Sequence, residues 1–291
     1  MYLFTEPHIP LGDEEFLLLR DLIHSHCGLY FNEDNRYLLE KRLAGRLQAL
    51  HLPTFRDYFY YLRYDRGQEQ EMSNIMDLLT TNETYFFREA FQLKAFSEEI
   101  VPELVAAKIR QGDRTLRIWS AGCSSGEEPY TIAMLLLETP ALRGWRLEIV
   151  GTDISQRVLQ LARKGLYNGS SFRASEGRTI GRFFRQEENG HQICDEVRGL
   201  VSFSQLNLFD QTRLALLGKM DVIFCRNVII YFDLDAKKRV IDSFSKTLVP
   251  GGFLLLGHSE SLMNITTQFT LRHFVNDMVY QKPLVERGGH T

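Results

Sequence analysis

The stretch IWSAGCSSGEEPYTIAMLLLE, residues Ile118–Glu138, decides the fold. An apolar strand pattern leads into a turn of small residues, and an amphipathic helix pattern follows. The turn from Gly122 to Gly126 fits G-x-S-x-G, in which hydrolases expose a nucleophile, here Ser124. It fits equally a glycine loop that lets the backbone approach a nucleotide-like cofactor. The neighbouring strands have to distinguish the two.

Short apolar runs recur on both sides of this stretch and are separated by helical patterns. They are Leu116–Ser120, Leu147–Gly151, Leu200–Phe203, Val222–Cys225 and Phe253–Gly257. The alternation predicts a parallel sheet with helical crossovers, and Met278–Lys282 is predicted as a final strand beside it. From Asp13 to about Phe96 the apolar residues instead recur at helical spacing throughout, which predicts an all-helical N-terminal region.

A polar segment before the third predicted strand contains Asn189-Gly190, a favourable hairpin turn. We therefore predict a small antiparallel β-subdomain inserted at about 182–203. The predicted organisation is a helical domain over residues 1–85 and an α/β domain over 86–291.

The order of the elements argues against a hydrolase. Several strands precede the nucleophile in α/β-hydrolases, whereas only helical patterns precede Ser124 here. His258 is the candidate base for that alternative. A cofactor loop needs an acid at the end of the next strand, where it binds ribose hydroxyls, and Asp153 stands there. An acid at this place can also simply cap the following helix.

Two acids, Glu127 and Glu128, open the helix after the loop. NAD and S-adenosylmethionine (SAM) use the same architecture, but a pyrophosphate would have to lie at this helix end, where two carboxylates repel it. The pattern favours a cationic cofactor without phosphate. The alternative is that both acids only compensate the helix dipole.

The composition and charge of the chain exclude several classes of protein. The chain has 291 residues, 44% hydrophobic and 24% charged, with a net charge of −3, which is typical of a globular protein and excludes a generally basic nucleic-acid coat. No apolar run has the length of a membrane span, and the acidic N-terminus is unlike a signal peptide. The four widely spaced cysteines predict buried thiols in a cytoplasmic protein.

Six motifs occur in one order along the chain: LLTTNETYFFREAFQ, SAGCSSGEEPYTIA, GTDIS, LNLFD, FCRNVIIYFD and PGGFLLLGHSES. With them the chain resembles the CheR-type chemotaxis receptor methyltransferases over nearly its whole length. The resemblance implies a SAM-dependent methyltransferase (Rossmann-like) sheet, an all-helical N-terminal domain and an inserted β-subdomain. It also implies transfer of a methyl group to glutamate side chains of methyl-accepting chemoreceptors, with S-adenosylhomocysteine as product and no metal.

The resemblance also implies site residues. Arg88 and Tyr231 are the expected catalytic residues, placed close to the transferred methyl. The expected cofactor-binding residues are Asn82, Thr84, Arg88, Gly122, Glu128, Asp153, Asn207, Leu208, Arg226 and Asn227. Each has an ordinary structural alternative as a helix cap, a surface ion pair or a core aromatic residue.

A local basic segment gives the expected receptor contact. Residues 36–66 contain seven Lys or Arg residues and three acids, and Arg42 and Arg46 lie one turn apart on a predicted helix. The resemblance places this helix against the receptor bundle, although a solvated basic face is the alternative and Gly45 and Gln48 interrupt it. We expect a monomer without nucleic-acid or membrane partners. A serine hydrolase and a non-catalytic signalling module are the competing functions.

Overall fold

The structure is a computed structural model that describes residues 9–175 and 177–284. Its contacts divide the chain into two compact units. The helical unit contains the residues up to Thr81 and also Tyr231–Asp233, and the α/β unit contains Asn82–Ile230 and the residues from Leu234 onward. The sequence predicted a boundary after residue 85. Residues 82–85 belong with the second unit because the segment that they begin is hydrogen-bonded into it, as the site shows below.

The helical unit contains four α-helices, which are α1 (Asp13–Cys27), α2 (Arg36–Ala49), α3 (Phe55–Tyr64) and α4 (Gln68–Leu79). Residues at three-to-four spacing form its core, since Phe16, Leu19 and Ile23 of α1 and Leu39 and Leu43 of α2 are fully buried. The helical pattern that was predicted to about Phe96 is interrupted after Leu79 and resumes in Ala90–Ala95. The chain from Thr81 to Glu89 forms no helix.

The α/β unit alternates helices and strands. Its helices are α5 (Ala90–Ala95), α6 (Val101–Gln111), α7 (Glu127–Leu137), α8 (Gln156–Lys164), α9 (Gly177–Phe183), α10 (Asp195–Arg198), α11 (Gln211–Leu216) and α12 (Leu234–Thr247). Its strands are β1 (Thr115–Ala121), β2 (Arg146–Asp153), β3 (Leu166–Tyr167), β4 (Phe184–Glu187), β5 (Gly190–Ile193), β6 (Val201–Gln205), β7 (Met220–Cys225), β8 (Leu248–Leu256), β9 (Thr270–His273) and β10 (Met278–Gln281).

Seven of these strands form one sheet in the order β6-β2-β1-β7-β8-β10-β9. The first five are parallel, and β10 is antiparallel to both of its neighbours. The central strands read as continuous apolar runs because helices cover both faces; β7 is buried along its whole length. The chain starts at β1, adds β2 and β6 on one side, and returns to add β7 on the other. The strand order therefore reverses between β1 and β7, where ligands bind in such sheets.

A second, three-stranded sheet has the order β3-β5-β4 and is antiparallel. The predicted hairpin joins β4 to β5, but its turn residues are Glu188 and Asn189, one residue earlier than predicted, because Gly190 (φ 142°) already pairs with Glu187. The small sheet begins at Leu166, earlier than the predicted 182, and Val201–Gln205 belongs to the large sheet. Because β3 has only two residues, no periodicity in the sequence could reveal it. The short strand β9 was also missed.

Candidate active site

The glycine loop, residues 122–126, has three residues in the left-handed region: Gly122 (φ 78°), Ser124 (φ 49°) and Gly126 (φ 93°). A Cβ on Gly122 would lie 2.4 Å from Val228 Cγ2, so only glycine fits there. The N–H groups of Gly122 and Cys123 donate to Thr152 O, and that of Gly126 donates to Cys123 O. These three N–H groups are thus bound within the protein, in contrast to a loop that binds a phosphate through free N–H groups.

Asp153 ends β2 and is 7% exposed. Its carboxylate accepts the Ser124 N–H at 2.9 Å through one oxygen and the Ser155 N–H at 2.9 Å through the other. The cap interpretation is therefore partly correct, because Asp153 supports the turn before α8. It also fixes the glycine loop. Ribose hydroxyls are the groups that the sequence analysis expects at this carboxylate.

Glu128 in the first turn of α7 pairs with Arg226 after β7. Glu128 Oε2 accepts Arg226 Nε at 2.6 Å, and its other oxygen accepts the Ser120 hydroxyl at 2.6 Å. Arg226 Nη1 donates to the backbone carbonyl of Arg88 at 2.8 Å. The Arg226 side chain is only 3% exposed. Two residues that were predicted separately as cofactor-binding thus form one buried pair, which also holds the Arg88 backbone.

The segment around Arg88 is strained. Phe87 and Glu89 both have φ of 59°, which is uncommon outside glycine and costs of order 1–3 kcal/mol per residue. Arg88 Nη1 donates to Glu83 O at 2.9 Å, and its guanidinium lies 5.7 Å from the ring centroid of Tyr85. Such strain persists only where the surroundings impose it, and it concentrates at functional sites. In this conformation the Arg88 side chain contacts Glu83 and Tyr85.

The small sheet contributes contacts that hold this strained segment in place. Phe86 is fully buried and packs against aromatic rings at centroid distances of 4.8 Å (Tyr167), 5.3 Å (Phe172) and 5.1 Å (Phe184). The Phe86 N–H donates to Ser171 O at 2.9 Å. This aromatic cluster anchors the Arg88 segment, which is a role that the sequence analysis did not foresee for the β-subdomain.

Glu127, the first acid of the pair, faces the same cluster. It is 2% exposed and accepts the hydroxyls of Ser125 (2.8 Å) and Ser171 (3.0 Å). Burial raises the pKa of its carboxyl, and the two serine bonds oppose that shift. The Tyr167 hydroxyl donates to Ser125 O at 2.7 Å. Glu127 therefore joins the glycine loop to the small sheet, whereas Glu128 joins α7 to Arg226.

Glu260, in the GHSES motif after β8, organises the loop after β7. Its carboxylate accepts four backbone N–H groups, from Asn227 (2.8 Å), Val228 (2.9 Å), Ile230 (3.2 Å) and Gly257 (2.8 Å). Burial raises the Glu260 pKa, while these donors favour the ionised form. Asn227 has φ of 60° and a buried side-chain oxygen, Oδ1, with no protein hydrogen-bond partner in the described part of the chain.

The remaining predicted site residues lie on the same edge of the sheet or in the segment beside it. Asn207 follows β6, and its Oδ1 accepts the Phe209 N–H at 2.9 Å; Leu208 is 7% exposed. Asn82 contributes a backbone carbonyl to the Ser124 hydroxyl (3.2 Å), and Thr84 is half-buried. The carboxyl ends of β1, β2, β6 and β7 thus carry the predicted cofactor residues of the sheet.

Tyr231 is 39% exposed and belongs to the helical unit, with its backbone carbonyl accepting the Tyr30 N–H at 3.0 Å. In the same unit, Arg42 Nη1 donates to Leu79 O at 2.6 Å, at the end of α4. Arg46 donates through Nε (2.8 Å) and Nη2 (2.6 Å) to Glu71, whose side chain is 3% exposed. Both arginines that were predicted to face a receptor therefore bind their own unit.

The site geometry does not fit the hydrolase alternative. A positive φ at Ser124 would suit a nucleophile turn, but the Ser124 hydroxyl donates to a backbone carbonyl rather than to an imidazole, and Ser124 is 7% exposed. The candidate base His258 has its Nε2 atom 3.9 Å from Glu89 Oε2. Burial raises the pKa of the neighbouring Cys123 thiol, so this thiol is not activated either.

The donor and acceptor set fits SAM. Asp153 offers carboxylate oxygens for ribose hydroxyls, and Asn227 Oδ1 is a buried acceptor without a protein donor, suited to an amino group. Four loop N–H groups are already bound within the protein, and Glu127 and Glu128 lie beside the loop, so the site is matched to a cationic molecule without phosphate. In residues 9–175 and 177–284 no cluster of three or more His, Cys, Asp or Glu residues is arranged for a metal, and no helix has the length and apolar character of a membrane span.

Comparisons with known proteins identify the family of the chain. The family model described as "CheR methyltransferase, SAM binding domain" matches residues 82–276, and "CheR methyltransferase, all-alpha domain" matches residues 14–80. "Chemotaxis protein methyltransferase 2" of Vibrio cholerae is 39% identical over 94% of this chain and 95% of its own length. A chemotaxis protein methyltransferase of Vibrio anguillarum is 36% identical (94% and 98%), and one of Pseudomonas aeruginosa is 33% identical (93% and 98%).

Proposed function

The chain belongs to the CheR methyltransferase family, and we propose that it transfers a methyl group from SAM to glutamate side chains of chemoreceptors, leaving S-adenosylhomocysteine. The family and the predicted fold class are confirmed by the two family models and by relatives named chemotaxis protein methyltransferase. Those names support a chemoreceptor substrate in a bacterial chemosensory pathway and a cytoplasmic site of action. The glutamate acceptor and the roles of individual residues are our proposal.

The observation that carries the proposal is the loop between β1 and α7, in which four N–H groups, those of Gly122, Cys123, Ser124 and Gly126, are bound within the protein while two acids follow the loop. Ser124 N–H is bound by Asp153, and Thr152 O takes the N–H groups of Gly122 and Cys123. A dinucleotide phosphate would find no donors at these three positions, whereas a sulfonium and an ammonium group are favoured by nearby carboxylates. SAM, when bound, supplies an electrophilic methyl group.

The protein then has little acid–base work to do. A glutamate carboxylate has a reference pKa of about 4.3, so it is already ionised near neutral pH and needs no general base. Positioning and exclusion of water are the main tasks, and well-oriented reactants can gain about 7–11 kcal/mol. In this proposal Arg88 holds the incoming carboxylate through guanidinium N–H groups other than the one that binds Glu83 O. The Tyr231 hydroxyl orients the same carboxylate.

Several residues prepare Arg88 for this role. Arg226 fixes the Arg88 carbonyl, and Phe86 fixes the segment from the side of the small sheet. Glu128 keeps the Arg226 guanidinium in place. Because the segment is already strained and anchored, less conformational entropy has to be lost when substrate binds.

We propose a receptor-binding surface other than the one expected from the sequence. Arg42 and Arg46 were predicted to bind the receptor, and this remains a proposal that no observation tests directly. Arg46 is committed to the buried Glu71 by two bonds, so we place the main receptor contact on exposed basic residues of the same unit instead, such as Lys41 and Arg63. Substitution of Lys41 by alanine should raise the KM for receptor without changing unfolding stability.

The test is incubation with methyl-labelled SAM and receptor-bearing membranes. A glutamyl methyl ester releases labelled methanol on treatment with base, and Arg88→Ala should abolish most of that release while the protein still folds. Label that stays on the receptor through base treatment, or hydrolysis of an ester substrate that Ser124→Ala abolishes, would argue against the proposed reaction. Retention of Arg88, Asp153 and Tyr231 disfavours a non-catalytic module, which would bind SAM without any transfer.

A further inference from the structure

Two arginines share one aromatic ring in the α/β unit. The guanidinium of Arg173 lies 3.9 Å from the ring centroid of Tyr85, and that of Arg88 lies 5.7 Å from the same centroid. Arg88 has a proposed catalytic role, and Arg173 reaches the ring from the end of the short helical turn Gly169–Phe172. Two positive charges this close repel each other, so their arrangement favours a negatively charged partner.

Glu83 contacts the two arginines in different ways. Its backbone carbonyl accepts Arg88 Nη1 at 2.9 Å, and its side-chain Oε1 accepts Arg173 Nη2 at 2.7 Å. Arg173 is thus bound to a carboxylate and Arg88 to a neutral group. Within the residues that the structure describes, no carboxylate forms an ion pair with Arg88. The charge of Arg88 is therefore left for the glutamate that it is proposed to hold.

The ion pair between Arg173 and Glu83 is open to solvent. The Glu83 side chain is 67% exposed and the Arg173 side chain 46% exposed. Ion pairs at such exposure contribute little to stability, because water competes for both charges and salt screens them. A guanidinium has five N–H donors, of which an Nη2 donor binds Glu83. Another carboxylate can therefore replace Glu83 on Arg173 at low cost.

The backbone that carries Arg173 is anchored by the contacts that anchor the Arg88 segment. Ser171, two residues before Arg173, accepts the Phe86 N–H at 2.9 Å through its carbonyl. Phe172 is 8% exposed and stacks on Phe86 at a centroid distance of 5.3 Å. Phe86 in turn lies two residues before Arg88. The two guanidinium groups thus extend from one common support, which suits them to bind two groups of one substrate segment.

We infer that Arg173 is a specificity-determining residue, which binds an acidic side chain of the receptor beside the glutamate that Arg88 holds. The inference rests on the proposed function and deepens it, since it names a further feature that the substrate must have. In the free protein the Glu83 carboxylate occupies the place of that acid. Substrate displaces this carboxylate without disturbing the contact of Glu83 with Arg88, because that contact uses the Glu83 backbone.

The experiment measures kcat, the KM for receptor in membranes and the Kd for SAM in the full chain. Arg173→Gln should raise the KM about fivefold, with kcat and the Kd for SAM within about twofold of wild type. Arg182→Gln is the matched control, because Arg182 also pairs with a half-exposed glutamate, Glu138 (2.8 Å), and lies 4.7 Å from the ring centroid of Phe183. Glu138 follows the last residue of α7, whereas the site lies at the first turn of that helix, so all three constants should stay unchanged in this control.

A second variant separates substrate binding from a structural role of the pair. If Arg173 binds an acid of the receptor, Glu83→Gln removes the competing carboxylate and should lower the KM about twofold. If the pair only holds the segment in place, Arg173→Gln and Glu83→Gln should impair the reaction in the same direction. That second result overturns the inference.

The decisive comparison changes the receptor. Acidic residues within about four positions of the methylated glutamate, once mass spectrometry has located it, are replaced by their amides, and the fivefold effect of Arg173→Gln should then disappear. The inference is overturned if the effect persists on the neutralised receptor, if Arg173→Gln leaves the KM unchanged, or if no acid lies beside the methylated glutamate. A wild-type protein that binds SAM but methylates no receptor overturns the proposed function itself, and the inference with it.

Discussion

Two arginine–glutamate pairs, one in each unit, show how different the role of the same chemical pair can be. Glu71 in the helical unit accepts four hydrogen bonds, two from Arg46 and one each from Tyr58 and Asn74. Glu128 in the α/β unit accepts two, from Arg226 and Ser120. A carboxylate has about four acceptor sites, so Glu71 is saturated and Glu128 is not.

The difference separates a structural pair from a pair that belongs to a site. Arg46 and Glu71 connect α2 to α4, and Tyr58 adds α3, so the pair links helices of one unit. Arg226 donates onward to the Arg88 carbonyl, so its pair transmits its geometry to the strained segment that carries a proposed catalytic residue. Counting the unused acceptor and donor sites of a buried pair therefore says more about its role than its charge or its place in a motif.

The largest effect should come from breaking the saturated pair. Glu71→Ala leaves the Arg46 guanidinium without its partner, and loss of one member of a buried pair costs about 3–5 kcal/mol of unfolding free energy. Urea unfolding measures this, and Glu69→Ala, at an exposed position of the same helix, is the control. A change below about 1 kcal/mol, together with a raised receptor KM for Arg46→Ala, would return Arg46 to the receptor surface.

The pH dependence of stability should follow from the same pair. Burial opposes ionisation of Glu71, but the bonds from Arg46, Tyr58 and Asn74 outweigh it and lower the Glu71 pKa. A lowered folded-state pKa contributes stability that is present above the unfolded-state pKa and lost as the pH falls through the folded value. Wild type should thus lose its advantage over Glu71→Gln in acid, measured as the difference in urea midpoints between neutral and acidic pH.

The next effect concerns cofactor affinity. Asp153→Ala should weaken SAM binding by about 10- to 150-fold, because hydrogen bonds to a charged acceptor contribute about 1.5–3 kcal/mol. Asp210→Ala is the matched control, since Asp210 also follows a strand of this sheet and caps a helix through the Arg213 N–H. Calorimetric titration measures both. Unchanged SAM affinity in Asp153→Ala would restrict Asp153 to capping.

A smaller effect is expected when Arg226, the partner of Glu128, is replaced by a residue with the same charge and a different shape. Arg226→Lys retains the attraction to Glu128, yet a lysine cannot bind Glu128 and the Arg88 carbonyl with one planar group. We expect kcat to fall about tenfold, with stability reduced by about 1 kcal/mol. Arg239→Lys, which removes a comparable guanidinium bond to Phe209 O, should leave kcat unchanged. Equal kcat losses in Arg226→Lys and Arg239→Lys would mean that Arg226 has no particular role in the reaction.

The smallest effect is expected at Ser124, the candidate nucleophile in the glycine loop. Ser124→Ala removes a hydroxyl that binds only the Asn82 carbonyl, so methyl transfer should change by about twofold or less. Steady-state assays with labelled SAM measure this. Near-complete loss of activity with normal SAM affinity would revive the nucleophile interpretation.

The parts of the fold that the sequence predicted are those with a strong local signal. The five parallel strands are long apolar runs, and Gly122, Gly126 and Asp153 stand in a spacing that the strand–loop–helix unit requires. The extent of the small sheet was not predictable, because β3 has two residues and pairs with β5 more than twenty residues later. Pairing over that distance leaves no local pattern.

In the candidate site, too, the sequence predicted what has a local signal and missed the contacts between residues far apart in sequence. Motif residues were located, but their partners were not, since Arg226 and Glu128 are 98 residues apart and Arg46 and Glu71 are 25 apart. Glu260 was quoted only as part of a motif, because its partners Asn227, Val228 and Ile230 lie 30 to 33 residues away in sequence. The placement of Tyr231 with the helical unit had no signal in the sequence at all.

The central claim is that this site methylates glutamate side chains, and mapping the transferred methyl tests it most directly. Receptor treated with SAM that carries a deuterated methyl group is digested, and tandem mass spectrometry locates the label with and without base. The account predicts label on glutamate side chains, lost in base and absent with the Arg88→Ala variant. Label on lysine, arginine or cysteine that survives base, or the same glutamate labelling with Arg88→Ala, would contradict it.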